Sequence, residues 1–229
     1  YSGRADFIPF GNFNNGGQFR QADLEYEMTP KLVVGAYYSY NQGITDRRGR
    51  ASGDILYLDS AGNSALPDYQ KYGADLLFKY KGFSLIAEYV NGKAIVPNTI
   101  ATRVRTDGST SPDFLVDSVQ NVNAYVQNRI ITGSGINVQA GYMFRKGISV
   151  DGRYAVMMPE KYSFLRNATF NLRSRYYTLC LTKYFGRNYG SKVQASLTAT
   201  ELLPGAISTD RTPVKGIEFV GNIMFTIAL

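Results

Sequence analysis

Residues 78–89 read FKYKGFSLIAEY. Phe78 and Tyr80 alternate with Lys79. After Lys81-Gly82 the alternation restarts, with Phe83, Leu85, Ala87 and Tyr89 set against Ser84, Ile86 and Glu88. A period of two marks β-strands, and a joint of two residues ending in Gly marks a tight hairpin. The stretch therefore predicts two antiparallel strands, each with one apolar face. What that face touches, a protein core or lipid, decides the fold.

The same pattern recurs along the chain. Ten strands are predicted, at 1–9, 18–27, 31–41, 71–81, 83–93, 134–145, 148–157, 173–185, 190–202 and 216–229. Four links between them are short: Met28-Thr29-Pro30, Lys81-Gly82, Arg145-Lys146-Gly147 and Gly186-Arg187-Asn188-Tyr189. The others, 10–17, 42–70, 94–133, 158–172 and 203–215, are long, and short and long alternate. In an up-and-down meander, alternate links lie at the same end of the sheet. Short turns at one end and long loops at the other are the asymmetry of transmembrane β-barrels. Soluble sandwiches mix link lengths, and long structureless loops are uncommon in compact domains.

The faces agree with this. Leu32, Val34, Ala36, Tyr38 and Tyr40 share one face, as do Ala74, Leu76, Phe78 and Tyr80, and Ile136, Val138, Ala140, Tyr142 and Phe144. The last strand adds Ile217, Phe219, Ile223, Phe225, Ile227 and Leu229. None of these positions is charged. Alternation alone does not separate an apolar face turned in from one turned out. Tyr80, Phe83, Phe144, Tyr184 and Phe185 sit beside the short turns, where an interfacial aromatic girdle would lie, and this favours lipid. The expectation is that Leu76, Phe78, Ile223 and Phe225 face outward, with Asp75, Lys79 and Arg153 on the opposite face.

Composition narrows the alternatives. The chain of 229 residues reads as one all-β domain over 1–229, with 18 Tyr, 13 Phe and no Trp. No run approaches the roughly 18 apolar residues of a spanning helix. A mean hydropathy of −0.21 is compatible with a membrane barrel, because only one face of each strand meets lipid. With no His and a lone Cys180, His-based catalysis and soft-metal sites lack their groups. The reading is not an enzyme, with no catalytic residues, no metal and no cofactor. Glu25 and Glu27, about 7 Å apart on one strand face, read as wall solvation rather than an acid–base pair. The net charge of +7 points to anionic partners. Nucleic acid is set aside, because the aromatics share faces with aliphatics instead of interleaving with basic residues. The opening YSGRADFIPF already alternates and carries no leader pattern. Further strands are expected before it, since lipid tolerates no open sheet edge.

YSGRADFIPFGNF, TPKLVVGAYYSYNQG, ADLLFKYKGFSLIAEYVN, INVQAGYMF and GRYAVMMPEK together resemble the phosphate-selective porin O and P family, in its Bacteroidetes-type members. The resemblance follows the strands in order and fails over the loops. It implies a 16-stranded antiparallel, up-and-down barrel in the outer membrane of a Gram-negative bacterium, usually a homotrimer, passing anions by diffusion. It also implies that about six N-terminal strands, with the third loop that forms the family's constriction, are absent from this stretch.

With the polar face as lumen wall, the candidate solute-binding cations are Arg4, Lys31, Lys79, Arg153 and Lys192. Asp6, Asp23, Glu25, Glu27, Asp75, Glu88, Asp151 and Glu218 share that face, so the wall itself is not positive. Arg47, Arg48 and Arg50 cluster in one long loop, Arg103 and Arg105 in another. At a pore mouth they would concentrate phosphate-like anions; equally they would bind lipopolysaccharide phosphates or solvate a loop. Arg173, Arg175 and Lys183 share parity with Tyr177, Leu179 and Leu181. The arginines either stand in the headgroup zone or return to the lumen through a bulge. The expected function is a passive porin with anion preference, contacting lipid and lipopolysaccharide. The alternative is a structural barrel docked in a larger envelope complex.

Overall fold

The structure, a computed structural model, describes residues 1–45, 54–166, 171–186, 190–208 and 210–227. Among them the strands run β1 (Ser2–Phe7), β2 (Lys31–Asn41), β3 (Asp54–Leu58), β4 (Asp68–Tyr80), β5 (Phe83–Ile95), β6 (Thr102–Arg105), β7 (Thr110–Ser111), β8 (Leu115–Val116), β9 (Val119–Gln120), β10 (Gly133–Phe144), β11 (Ile148–Pro159), β12 (Arg175–Tyr184), β13 (Lys192–Leu202) and β14 (Gly216–Thr226). Nine of them form one open sheet in the order β1-β2-β4-β5-β10-β11-β12-β13-β14, with β1 and β14 as its edges. Every neighbouring pair is antiparallel. The molecule is all-β, in an unbroken meander.

The hairpin of FKYKGFSLIAEY forms as its residues require. Tyr80 pairs with Phe83, and the two residues between, Lys81 and Gly82, have φ of 48° and 87°. Positive φ at both central positions is the type I′ geometry whose twist matches that of the strands. Gly82 is needed for a second reason: a Cβ there would stand 2.7 Å from the Met143 carbonyl oxygen.

The register sorts the sheet's two faces. Phe7, Val34, Leu76, Ala87, Val138, Tyr154, Tyr177, Ala199 and Phe219 are successive partners, one from each strand. The adjacent row is Asp6, Gly35, Asp75, Glu88, Asn137, Ala155, Tyr176, Thr200 and Glu218. One step along the strand thus exchanges an apolar row for a largely polar one, as the pleat dictates. The apolar face is the exposed one: Leu179 is 62% accessible, Ile223 71% and Phe225 72%. Lys79, Ser84, Ser149, Asp151, Thr182 and Thr200, on the opposite face, are buried. This is the reverse of a soluble sandwich. The total accessible surface of 13755 Å² exceeds the roughly 10,300 Å² of a compact monomer of this mass.

Three expectations need correction. The sheet has nine strands where ten were expected, because residues 18–27 form none. Their Leu24-Glu25-Tyr26 alternation imitates a strand, but the Asp23 carboxylate accepts the Glu27 backbone N–H at 3.1 Å, and such local closure competes with a ladder. Residues 14–19 instead make a kinked 3₁₀ turn, with Asn15 and Gly16 at φ 48° and 69°. The whole stretch 8–30 is therefore one long link at the end where the turns are tight, so link length does not alternate without exception. The long links at the other end are not bare loops either. β3, β6 and β7 form a small sheet, and a helix, α1 (Val122–Gln127), packs Tyr125 and Val126 against Tyr57, Ile100, Phe114 and Ile130.

Candidate functional site on the polar face

Arg4 projects from β1 across β2 to reach β4. Its guanidinium donates to Asp6 at 2.6 and 3.1 Å and to Asp75 at 2.6 and 2.8 Å. Gly35 makes the crossing possible, since a Cβ there would lie 2.3 Å from Arg4 Nη2. Bidentate pairing of this kind fixes geometry as well as charge. With both carboxylates engaged, Arg4 is a structural cation of the wall rather than a mobile one.

Asp75 lies directly opposite Glu88 on β5, where like charges repel. The arginine relieves one of them, and a relay relieves the other. Arg153 Nε donates to Asn137 Oδ1 at 2.6 Å, and Asn137 Nδ2 donates to Glu88 Oε2 at 2.6 Å. These groups border an open cavity of about 730 Å³, with Tyr37 and Lys71 across from them. Thr178 and Thr198 share a hydrogen bond of 2.9 Å along the same wall. The cavity's lining thus mixes hydrogen-bond donors and acceptors of both charges.

At the tight-turn end the polar face is covered by residues 13–27. Lys79 is 1% exposed and donates to the carbonyls of Gly17 and Ala22 at 2.9 and 2.8 Å. The Glu27 carboxylate receives the Asn14 backbone N–H and side-chain amide, both at 2.7 Å. The Asp23 carboxylate receives the Gly82 backbone N–H at 2.7 Å. Ala22, Met143 and Tyr184 close a small apolar cluster beneath, with Leu24 and Tyr26 packed on it. Desolvation there raises the Tyr26 phenol above its ordinary pKa, so it stays protonated.

The expected site residues thus divide. Arg4 and Arg153 lie on the polar face of the sheet, and Lys192 borders a second cavity with Asp151, its Nζ 5.9 Å from the Tyr184 ring centre. Lys31 donates to the Phe10 carbonyl at 3.1 Å and secures the start of the 8–30 link. Lys79 is not a lumen cation: it is buried as an anchor. Glu27 and Asp23, expected to solvate a wall, are likewise buried anchors. Arg103 and Arg105 belong to β6, not to an open loop. Arg103 Nε donates to the Asp113 carbonyl at 2.8 Å, its guanidinium 5.0 Å from the Tyr125 ring centre, and Arg105 is exposed. Arg47, Arg48 and Arg50 lie outside the described residues.

The structure separates Arg173 from Arg175. Arg173 precedes β12 in a 3₁₀ turn, donates to Glu218 at 2.8 Å and to the Ile207 carbonyl at 2.8 Å, and so joins the polar side. Arg175 stays on the apolar face at its long-loop edge, 3.6 Å from Glu201. Lys183, eight residues on, reaches the Lys146 carbonyl at 2.6 Å. At about 3.3 Å per residue these two cations bracket roughly 26 Å of uncharged strand. Lys71 was overlooked because the strand was started at that residue rather than at Asp68; it shares the parity of Asp75 and Lys79, which would have identified it. Arg20 and Phe19 were missed because their segment was read as wall.

Compared with known proteins, the chain matches no family model, no curated protein and no solved structure.

Proposed function

We propose that the nine-stranded sheet is a sector of a transmembrane β-barrel and that the protein is a passive outer-membrane porin of the phosphate-selective porin O and P kind, admitting small anions. The carrying observation is the apolar row from Phe7 to Phe219, one residue from each strand: none of the nine is buried, and Phe7, Val34, Tyr177 and Phe219 are exposed, while ion pairs and buried polar groups occupy the other face. In water such a face would drive aggregation. Against lipid it is the expected exterior, and the polar face becomes the wall of a water-filled lumen. Tilted by about 35–45° as barrel strands are, the strand between Arg175 and Lys183 would rise about 20 Å, which fits within the apolar band of about 25 Å of such barrels. Lys71, Arg153 and Lys192 are the polar-face cations an anion would meet, beside Asp75, Glu88 and Asp151. A homotrimer in a Gram-negative outer membrane, contacting lipopolysaccharide, is part of the same proposal.

Reconstitution of the full protein in a planar bilayer tests this. Stepwise conductance is expected, with a reversal potential under a KCl gradient favouring Cl⁻. The preference should be greater in dilute salt, because the screening length falls from about 30 Å at 0.01 M to about 3 Å at 1 M. Folded, inserted protein that conducts nothing would overturn the reading.

A second reading, a structural barrel docked in an envelope assembly, is favoured by one feature. The β8–β9 hairpin presents Leu115 and Val119, 56% and 64% exposed, on the long-loop side. Co-purification of a defined envelope partner that is lost with Leu115→Ser and Val119→Ser, in a protein without conductance, would favour it.

A further inference from the structure

Arg145 and Lys146 lie in the tight turn between β10 and β11, and Lys183 sits directly across the ladder from Ile148. Lys183 Nζ donates to the Lys146 carbonyl at 2.6 Å, which draws its ammonium onto the turn. Three exposed cations are thus gathered at one short turn, and among the described residues none of them forms an ion pair. Arg145 has the ring of Tyr26 instead, its guanidinium 5.5 Å from the ring centre. Like charges held this close repel, and an anion between them would relieve the repulsion.

The three cations border an open cavity of about 570 Å³, within the range of ligand pockets. Among the described residues its lining holds one carboxylate, Glu25, which already accepts the Asn15 amide at 2.9 Å. The rim is apolar: Met28 and Phe185 are each 65% accessible and Phe144 48%. Further along the outward face the partners Tyr142, Val150 and Leu181 are exposed as well. The next row runs Leu85, Ala140, Gly152 and Leu179. A Cβ at Gly152 would meet no atom within 4 Å. Two small residues between two leucines leave a shallow trough that leads away from the cations, and a glycine inside a strand often marks the close approach of another group.

We propose that this pocket and trough bind an anionic phospholipid, its phosphodiester among Arg145, Lys146 and Lys183 and an acyl chain along Ala140 and Gly152. Free phosphate would use the cations alone, whereas the apolar path running on from them suits a lipid. Short turns of such barrels face the periplasm, so the lipid belongs to the leaflet on that side. The inference rests on the lipid-facing part of the porin reading and does not depend on conductance.

The test uses the full protein in mild detergent, with equal amounts of phosphatidylglycerol and phosphatidylcholine of the same chains, and counts bound lipid by native mass spectrometry. Phosphatidylglycerol should be retained about tenfold over phosphatidylcholine. Arg145→Gln with Lys146→Gln should lower that preference about fivefold or more, the contribution of roughly one cation near a membrane surface. These side chains are exposed and donate no hydrogen bond among the described residues, so the pair tests the proposal without unfolding the turn. Lys161→Gln with Lys215→Gln removes the same charge from exposed positions at the long-loop end and should leave the preference unchanged. Gly152→Phe, which fills the trough, should lower retention of both lipids. Equal retention of the two lipids, displacement by millimolar inorganic phosphate, or an equal effect of the Lys161 and Lys215 pair would each overturn the site. Inserted protein that conducts nothing but keeps the preference overturns the porin and leaves the site standing. Protein that inserts into vesicles of neither lipid overturns both.

Discussion

The Asp23 carboxylate accepts the backbone N–H of Gly82 at 2.7 Å, across 59 residues of chain. The contact joins the 8–30 link to the turn of the β4–β5 hairpin. A type I′ turn leaves an N–H outside the ladder, and at this site a buried carboxylate takes it up. The same carboxylate also receives the Glu27 N–H at 3.1 Å, so one side chain both folds the segment and fastens it to the sheet.

Asp23→Ala leaves both N–H groups without their partner at a site 1% exposed. Each buried orphan donor costs about 1–3 kcal/mol. The expected result is a lower urea midpoint for protein folded in lipid vesicles and faster proteolysis within residues 13–27. Asp23→Asn, which keeps an acceptor oxygen, should recover part of the loss. An unchanged midpoint in Asp23→Ala would show the anchor to be idle.

Gly82→Ala forces a side chain into φ 87° and toward the Met143 oxygen. A strained backbone position of this kind costs on the order of 1–3 kcal/mol. Lys81→Asn is the control, because Asn tolerates the φ of 48° found there. Equal unfolding midpoints for Gly82→Ala and Lys81→Asn would count against the I′ turn.

Leu179→Arg and Thr178→Arg differ by one residue and one face. If the apolar face meets lipid, the first should destabilise the protein by about 2–4 kcal/mol near mid-bilayer, while the second, on the polar face, should cost less, about 1 kcal/mol for the lost Thr198 hydrogen bond and the facing Arg153. Unfolding from vesicles measures both. In a water-exposed sheet, Arg at the 62% exposed Leu179 would be harmless, and that outcome would remove lipid as the occupant of this face.

Asp59 controls a turn at the long-loop end. Its carboxylate accepts the backbone N–H groups of Ala61 and Asn63 at 2.9 and 2.8 Å. The hydrogen bonds from Asn63, backbone first, hold its pKa below the ordinary 3.8. A depressed carboxylate contributes stability that is present above its unfolded pKa and lost as pH falls through the folded one. The Ala61 and Asn63 amide resonances should therefore keep their positions from neutral pH down to about 4 and shift only below it. A shift centred above the ordinary value would contradict the geometry.

Much of the fold was legible because parity is a local property. A strand turns alternate side chains to opposite faces whatever its neighbours are, so the uncharged row through Leu76, Val138 and Phe219 could be read residue by residue. β2 was expected at 31–41 and lies at Lys31–Asn41. The Lys81-Gly82 turn was equally legible, since its chemistry is contained in two residues.

The candidate site was less so, because it depends on partners far apart in sequence. Residues 18–27 carry an alternation that a strand would use, but Lys79 instead binds the Gly17 and Ala22 carbonyls, Asp23 the Gly82 and Glu27 N–H groups, and Glu27 Asn14. Arg173 and Arg175 share a parity, and only the point at which β12 begins sends one to Glu218 and leaves the other beside Glu201. The sequence by itself determined the strand period, the hairpin turn and the apolar face, each an outcome of backbone geometry over a few residues. Tertiary structure decided which charges are wall and which are anchors, because a buried charge is placed by whichever distant group can satisfy it once water is gone.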